Sequence, residues 1–328
     1  MSIRILNEAQ IRKAVKMEEA IAAMEKAFVA YSRKEASLPS VIHLDVPDHK
    51  GEVHIKAGYL FGAAEYVVKV ASGFWDNREK QLPVTGGLML VFDSETGFPS
   101  AVLLDNGYLT ELRTAAAGAV AAKYMAPHHV EQVAVIGAGA QGRYQIEALA
   151  HVRSFERICV YDHHQANMDK YKADMQQRFQ AEIIACNTPE QAMAGSRIVI
   201  TTTPSRKPII IGEWVESGAH ITAMGSDGAD KQELDVSVLA RAHRIIADSI
   251  PQCMRLGEIH HAIAAGVMRE EDIDGELGDV ISGKIPGRQS DLDITVCDLT
   301  GVGVQDAAIA GLVARKATRA DQGILIES

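Results

Sequence analysis

What the chain lacks removes several chemistries. Its four cysteines, Cys159, Cys186, Cys253 and Cys297, stand far apart, with no CxxC pair and no zinc-ligand spacing. Cys159 and Cys186 lie in apolar, strand-like runs, which suits buried free thiols in a reducing cytoplasm. No HExxH occurs, and the histidines, among them His43, His49, His54, His260 and His261, do not cluster convincingly, so no metal is expected. GxSxG is missing too, which leaves a hydrolase nucleophile elbow unsupported. No run of 18 apolar residues appears, and the first residues carry no apolar leader, so neither a membrane span nor a secretory signal is expected. Basic clusters are also lacking. With a net charge of -10, nucleic acid and anionic membranes are not expected partners.

What remains is an ordinary globular composition. The chain has 328 residues, 47% hydrophobic and 23% charged, a length that suggests about two domains. Residues 17–31 carry Ile21, Met24, Phe28 and Tyr31 at helical spacing. Residues 38–105 change character: short apolar runs such as 67–70 and 87–92 are separated by Gly, Pro, Asp and Asn, a strand-and-turn pattern. A helix is predicted next, with Thr110 as its N-cap, running through the alanine-rich 115–122 to Tyr124, with Pro127 marking its end.

Beyond it, apolar runs recur at 133–136, 158–161, 183–185, 198–200, 221–223 and 245–247. Most are continuous rather than alternating, as in strands buried on both faces. Helical patterns such as 143–152 and 165–179 fill the gaps. This βαβ rhythm predicts an α/β fold with a Rossmann-type doubly wound parallel sheet. A last strand at 294–297 leads through Thr300-Gly301-Val302-Gly303 to a helix from about Gln305.

Gly137, Gly139 and Gly142 match GxGxxG, directly after an apolar strand and at the opening of a helix. The first glycine permits the tight turn, the second lets a pyrophosphate approach the backbone, and the third allows close helix–strand packing. The helix N-terminus then offers N–H groups to the phosphates. The turn Gly137-Ala138-Gly139-Ala140-Gln141-Gly142 is therefore read as a nicotinamide dinucleotide site. Asp162 ends the second strand, placed to accept hydrogen bonds from the adenosine ribose and to repel a 2′-phosphate, which favours NAD. His163 and His164, if protonated, would tolerate NADP.

Three residues admit two readings each. Arg113, in the first turn of a helix starting at Thr110, opposes the helix dipole. It is either a bidentate anion clamp or a surface arginine paired to Glu111 or another acid. Lys69 lies in an apolar strand, where an edge lysine that blocks aggregation is the commoner case. The alternative is a desolvated amine suited to proton transfer. Asp227 follows Gly225-Ser226 beyond a strand's carboxyl end, either in a ligand-binding position or as a plain turn former.

Several segments together resemble the ornithine cyclodeaminase/mu-crystallin family. They are Lys69 in its valine-rich strand, Leu109-Thr110-Glu111-Leu112-Arg113-Thr114-Ala115-Ala116, the glycine turn, Thr201-Thr202-Thr203-Pro204-Ser205, and Gly225-Ser226-Asp227 with Lys231-Gln232-Glu233-Leu234-Asp235. The similarity runs nearly end to end. Asp105-Asn106-Gly107-Tyr108 and Pro286-Gly287-Arg288 with Asp298-Leu299-Thr300-Gly301 look most like the family's ectoine-utilisation cyclodeaminase-like branch.

The resemblance implies a homodimer. It also implies an α+β substrate-binding and dimerisation domain over 1–124, completed by 304–328, and an NAD(P)-binding domain over 125–303. Arg113 would hold a substrate carboxylate, Lys69 would bind it or polarise a developing C=N, and Asp227 would handle the amine or activate water. Thr114, Thr202, Thr203 and Pro204 would join the glycine turn at the cofactor. An arginine common after the position of Pro39 is replaced by Ser40, Val41 and Ile42, with His43 next, so His43 and Lys56 become substrate-binding candidates. Val84 stands where cyclodeaminases carry threonine, and Gly228-Ala229-Asp230 replaces a common Pro-Gly.

The implied activity is NAD(P)H-dependent interconversion of a small α-imino acid and α-amino acid. Redox-neutral, ammonia-releasing cyclodeamination is the rival, and a non-catalytic mu-crystallin-like binder the third reading.

Overall fold

The computed structural model describes residues 2–327. The chain divides into two compact units, Met1–Arg113 with Val302–Ser328, and Thr114–Gly301.

The first unit is built on a sheet of order Ile324–Glu327, Ser2–Asn7, Pro99–Leu104, Thr85–Asp93, Glu65–Phe74, Gly51–Leu60, Ala36–Ser37, with Ile42–Val46 also paired to Gly51–Leu60. All pairs are antiparallel except Ser2–Asn7 with Pro99–Leu104. Period-2 alternation gives the sheet two apolar faces. One carries Val67, Met89, Val91, Ala101 and Leu103, all buried. Helix Gly303–Arg319 packs on that side against strands Gly51–Leu60 and Glu65–Phe74, and helix Met17–Ser32 packs on Gly303–Arg319. Met17–Ser32 buries Ile21, Met24 and Phe28 of the predicted stripe, while Tyr31 is only half-buried.

Two glycines let the helix approach the sheet. A Cβ on Gly58 would lie 2.8 Å from the Gly303 carbonyl, and one on Gly303 would lie 3.0 Å from the Ala57 carbonyl. The first turn of the C-terminal helix therefore rests directly on the sheet.

Helix Tyr108–Met125 begins earlier than the sequence suggested. Thr110 is not its N-cap: the Asp105 carboxylate accepts the Leu109 N–H at 2.9 Å, and Asn106 and Gly107, both at positive φ, turn the chain into the helix. Arg113 therefore lies in the second turn, where the dipole argument no longer applies.

The second unit is a parallel sheet of order Glu182–Ala185, Arg157–Tyr161, Gln132–Ile136, Ile198–Thr201, His220–Ala223, Thr295–Asp298, Arg244–Ala247, Gly275–Glu276. The predicted runs all form strands here, and the last strand is shifted one residue along, to Thr295–Asp298. One apolar core contains Val133, Val135, Ile146, Leu149 and Tyr171, and another contains Ala134, Ile136, Val199, Ile221 and Leu234. The strands are thus buried on both sides, as their continuous hydrophobicity required. The chain runs outward from Gln132–Ile136 through two strands, then returns to its other side at Ile198–Thr201. That reversal is the topological switch point, where doubly wound sheets bind ligands beyond the strands' carboxyl ends. Among the described residues, no helix is long and apolar enough to cross a membrane.

Candidate active site

The glycine turn stands at the switch point. Gly137 has φ +110, which L side chains rarely adopt, and a Cβ there would lie 2.8 Å from Thr202 Oγ1. A Cβ on Gly142 would collide with the Gly137 carbonyl, so this glycine keeps helix Ala140–Leu149 against the turn. Gly139 differs: nothing lies within 4 Å of a Cβ built there. The turn is thus packed at its ends and open at its centre, as approach of a pyrophosphate requires. The residues present fit a dinucleotide.

The turn is fastened from two sides. The Gly137 N–H donates to the Tyr161 carbonyl at 2.8 Å, and Thr202 Oγ1 donates to the Gly137 carbonyl at 3.1 Å. Asp162 is engaged on both oxygens: Oδ2 accepts the Ala138 N–H at 3.0 Å, and Oδ1 accepts the His164 N–H at 2.9 Å and the Asn167 amide at 3.0 Å. The acid therefore braces the turn from the end of the next strand. His163 Nδ1 lies 3.6 Å from Asp162 Oδ1. Gln145 joins Gln141 to Thr114, donating to the Gln141 side chain at 3.3 Å and to the Thr114 carbonyl at 3.1 Å. Thr203 and Pro204 continue the loop after Ile198–Thr201, next to Thr202. Asp227 is exposed on the loop after His220–Ala223 and pairs with Lys231 at 2.6 Å.

The first unit holds a different arrangement. Lys69 is 4% exposed and Arg113 6% exposed. Lys69 is not an edge lysine: its strand pairs on both sides, opposite Lys56 on one and Met89 on the other. Its Nζ lies 2.9 Å from both carboxylate oxygens of Asp306, which is itself buried. Arg113 Nε donates to Asp306 Oδ1 at 3.2 Å, and its NH1 donates to Gln305 Oε1 at 3.3 Å. The surface-arginine reading fails with that burial. Gln305 is held in turn by the Val302 N–H at 2.8 Å.

Two cations thus converge on one carboxylate. Burial alone would raise the Asp306 pKa, but the charges of Lys69, Arg113 and Lys56 outweigh it and hold the carboxyl below its usual range. Burial pulls Lys69 down to about 8, against the opposing attraction of Asp306. Asp306 Oδ2 is buried as well, and the Lys69 ammonium 2.9 Å away is its counter-charge.

Lys56 stands across the strand pair from Lys69, so the structure brings it to the cluster. His43 is not brought there. It is exposed opposite His54, with Nε2 2.9 Å from Asp45 and Nδ1 3.5 Å from His54 Nδ1. Sequence reasoning missed Asp306 and Gln305 as site residues. An acid in the first turn of a helix reads as an ordinary dipole partner, and nothing local marks it otherwise.

The profile of the ornithine cyclodeaminase/mu-crystallin family matches residues 2–321. The chain belongs to this family. It is 43% identical over 329 residues to an uncharacterized cyclodeaminase of Sinorhizobium fredii, covering 100% of this chain and 99% of that one. An archaeal alanine dehydrogenase dimer, solved with bound NAD, superposes with a TM-score of 0.92 at 36% identity, covering 100% of this chain and 99% of that chain. The Delta(1)-pyrroline-2-carboxylate reductase of Thermococcus litoralis, solved with NADH and L-proline, gives a TM-score of 0.92 at 31% identity over 98% and 99% of the two chains.

Proposed function

We propose that this member of the family is an NAD(P)H-dependent reductase or dehydrogenase that interconverts a small α-imino acid and its α-amino acid. The observation that carries this reading is the buried Lys69–Asp306–Arg113 cluster in a chain that also holds an open-centred glycine turn. Two relatives solved with NAD or NADH are an alanine dehydrogenase and a Delta(1)-pyrroline-2-carboxylate reductase, and both names fit hydride chemistry at an α-carbon. NAD is the favoured cofactor, because the Asp162 carboxylate beside the turn disfavours a 2′-phosphate.

Bound NADH supplies a hydride, and bound NAD⁺ accepts one. The chain's own residues position and protonate. Arg113 holds the substrate carboxylate through its guanidinium, which Asp306 and Gln305 aim from behind. Lys56 and Lys69 add positive charge beside it. Asp306, paired to both cations, fixes their positions and so orients the α-carbon for transfer. Asp227 takes part in proton traffic at the amine.

Absorbance at 340 nm decides the reaction. Adding a cyclic or acyclic α-imino acid to enzyme and NADH is expected to consume NADH in proportion to substrate. Ammonia release from ornithine with no net change at 340 nm would instead make the chain a cyclodeaminase.

Lys69 acts here as an ammonium. With its pKa at about 8, kcat/KM for the imino acid is expected to fall as pH rises through 8, and Lys69→Met should lose that limb. A rate that climbs through the same range would assign Lys69 as a base instead.

A homodimer belongs to the same reading. The sheet face opposite helix Gly303–Arg319 carries Val53, Ile55, Val68, Val70, Leu88, Leu90, Phe92 and Val102, all only partly buried in the single chain. An apolar face of that extent marks an interface, and one shared with a second copy is self-complementary. Leu90→Asp is expected to shift sedimentation from dimer to monomer. A monomeric wild type would remove this part of the proposal. The four cysteines are all free and buried, which suits a reducing compartment, and we place the enzyme in the cytoplasm.

A further inference from the structure

The carboxyl edge of the parallel sheet is lined with buried acids that the proposed reaction does not use. Glu233 is 0% exposed, and Asp248, Glu258 and Asp298 are each 1% exposed. Each accepts at least one backbone N–H group. Glu233 Oε1 accepts the Thr203 N–H at 2.5 Å, and its Oε2 accepts the Gly225 N–H at 2.8 Å. Glu258 accepts the N–H groups of Glu233 at 2.8 Å and Leu234 at 3.1 Å. Asp298 accepts the Ile259 N–H at 3.0 Å, and Asp248 accepts those of Thr300 at 2.9 Å and Gly301 at 2.8 Å.

Glu233 differs from the others in what it joins. Thr203 and Gly225 follow neighbouring strands, Ile198–Thr201 and His220–Ala223. One loop carries Thr202, Thr203 and Pro204; the other carries Gly225, Ser226 and Asp227. A Cβ on Gly225 would collide with both the Glu233 carboxylate and the Thr203 carbonyl, so the three groups are packed without slack. Thr202 in turn donates to the Gly137 carbonyl of the glycine turn.

We propose that Glu233 is a positioning residue for the dinucleotide, its ionised carboxylate clamping the Thr203 and Gly225 N–H groups and so fixing both loops at the cofactor end of the sheet. The inference rests on the reading of the glycine turn as a dinucleotide site. The clamp needs the anion, because protonation turns one of its two oxygens into a poor acceptor. Burial pushes Glu233 up to about 7, against the hydrogen bonds from Thr201, Thr203 and Gly225. The charged groups packed against it are acids. Glu258 lies behind Glu233 and is pushed up to about 9, first by burial and then by Asp298 and Glu233. Asp298 lies beyond Glu258 and is pushed up to about 7 by burial and by Asp248. Lys231, two residues before Glu233, directs its ammonium to Asp227, and the Lys231 carbonyl is bonded by His261. Glu233 therefore changes state near neutrality; Asp298 does so over the same range, but it bonds the Ile259 N–H and neither of the two loops.

The test is NADH titration by fluorescence from pH 6 to 8, with amide hydrogen exchange at Thr203 and Gly225. One pH unit below its pKa a group is about one-tenth ionised, so wild type should bind NADH up to about tenfold more weakly at pH 6 than at pH 8. Glu233→Gln should bind NADH about as weakly at pH 8 as wild type does at pH 6, show no further loss on acidification, and exchange faster at Thr203 and Gly225. An E233Q protein that matches wild type in affinity and exchange overturns the clamp while leaving the dinucleotide reading intact. A wild type with no NADH binding overturns both. If E233Q does not fold, the wild-type series decides: exchange at Thr203 and Gly225 that does not rise on acidification through 7, beyond the intrinsic rate, overturns the clamp.

Discussion

Asp306→Asn is expected to destabilise its unit by about 3–5 kcal/mol, the usual penalty for removing one partner of a buried ion pair. The amide keeps the shape of the carboxylate, so packing is not disturbed. What it removes is the charge facing both Lys69 and Arg113, which are nearly fully buried. Arg113 cannot relieve the strain, because a guanidinium stays protonated. Lys69 can, by releasing its proton at a lower pH than its present value of about 8. The deficit should therefore be largest at pH 6 and shrink toward pH 9, where the lysine is neutral in either protein. The wild-type Asp306 carboxyl is held below its ordinary value, so its stabilisation is complete throughout that range and is lost only in strong acid. Thermal melting of wild type and D306N across pH 6–9 measures this. A variant that melts with wild type at pH 6 would show that the cations do not depend on Asp306.

Arg113→Ala is expected to lower kcat/KM for the imino acid by about a thousandfold, the loss of roughly 4 kcal/mol of charge-assisted binding. NADH affinity should change far less, because the Arg113 guanidinium is committed to Asp306 and Gln305. Stability should suffer less than in D306N, since Lys69 and Asp306 remain a neutral pair. Arg113→Lys should recover little: one ammonium cannot reproduce contacts made from Nε and NH1 of a planar fork. If alanine at 113 leaves kcat/KM within a fewfold of wild type, the carboxylate is held elsewhere. A loss confined to NADH binding would point away from the substrate altogether.

How far the sequence could be read depended on the distance over which each feature is determined. The glycine turn was legible because strand, turn and helix lie within one short stretch, and each glycine answers a steric demand made by its neighbours. The parallel strands were legible because burial on both faces writes an unbroken apolar run. The helix start at Tyr108 was harder, since Thr110 and Asp105 are both capping residues and only the turn at Asn106-Gly107 selects between them. Arg113 was singled out for a position in the first turn that it does not occupy; what marks it in the structure is its burial against Asp306. Lys69 looked like an edge lysine because edge and central strands have the same local pattern, and the neighbours that distinguish them lie elsewhere in the chain. Asp306 was out of reach for the same reason: its partners stand 237 and 193 residues away.

The separation of Asp306 from Lys69 and Arg113 also sets an order of assembly. The Thr114–Gly301 unit is one continuous segment, whereas the other is made from both sides of it. A nascent chain folds in the direction of synthesis. When the second segment is still unmade, the nucleotide unit already has all its strands, while Lys69 and Arg113 have been translated without the carboxylate that neutralises them. A polypeptide broken off before Val302 would hold the cofactor turn and both cations but not their counter-ion. The Lys69–Asp306–Arg113 cluster is therefore completed last, once the segment from Val302 has been made.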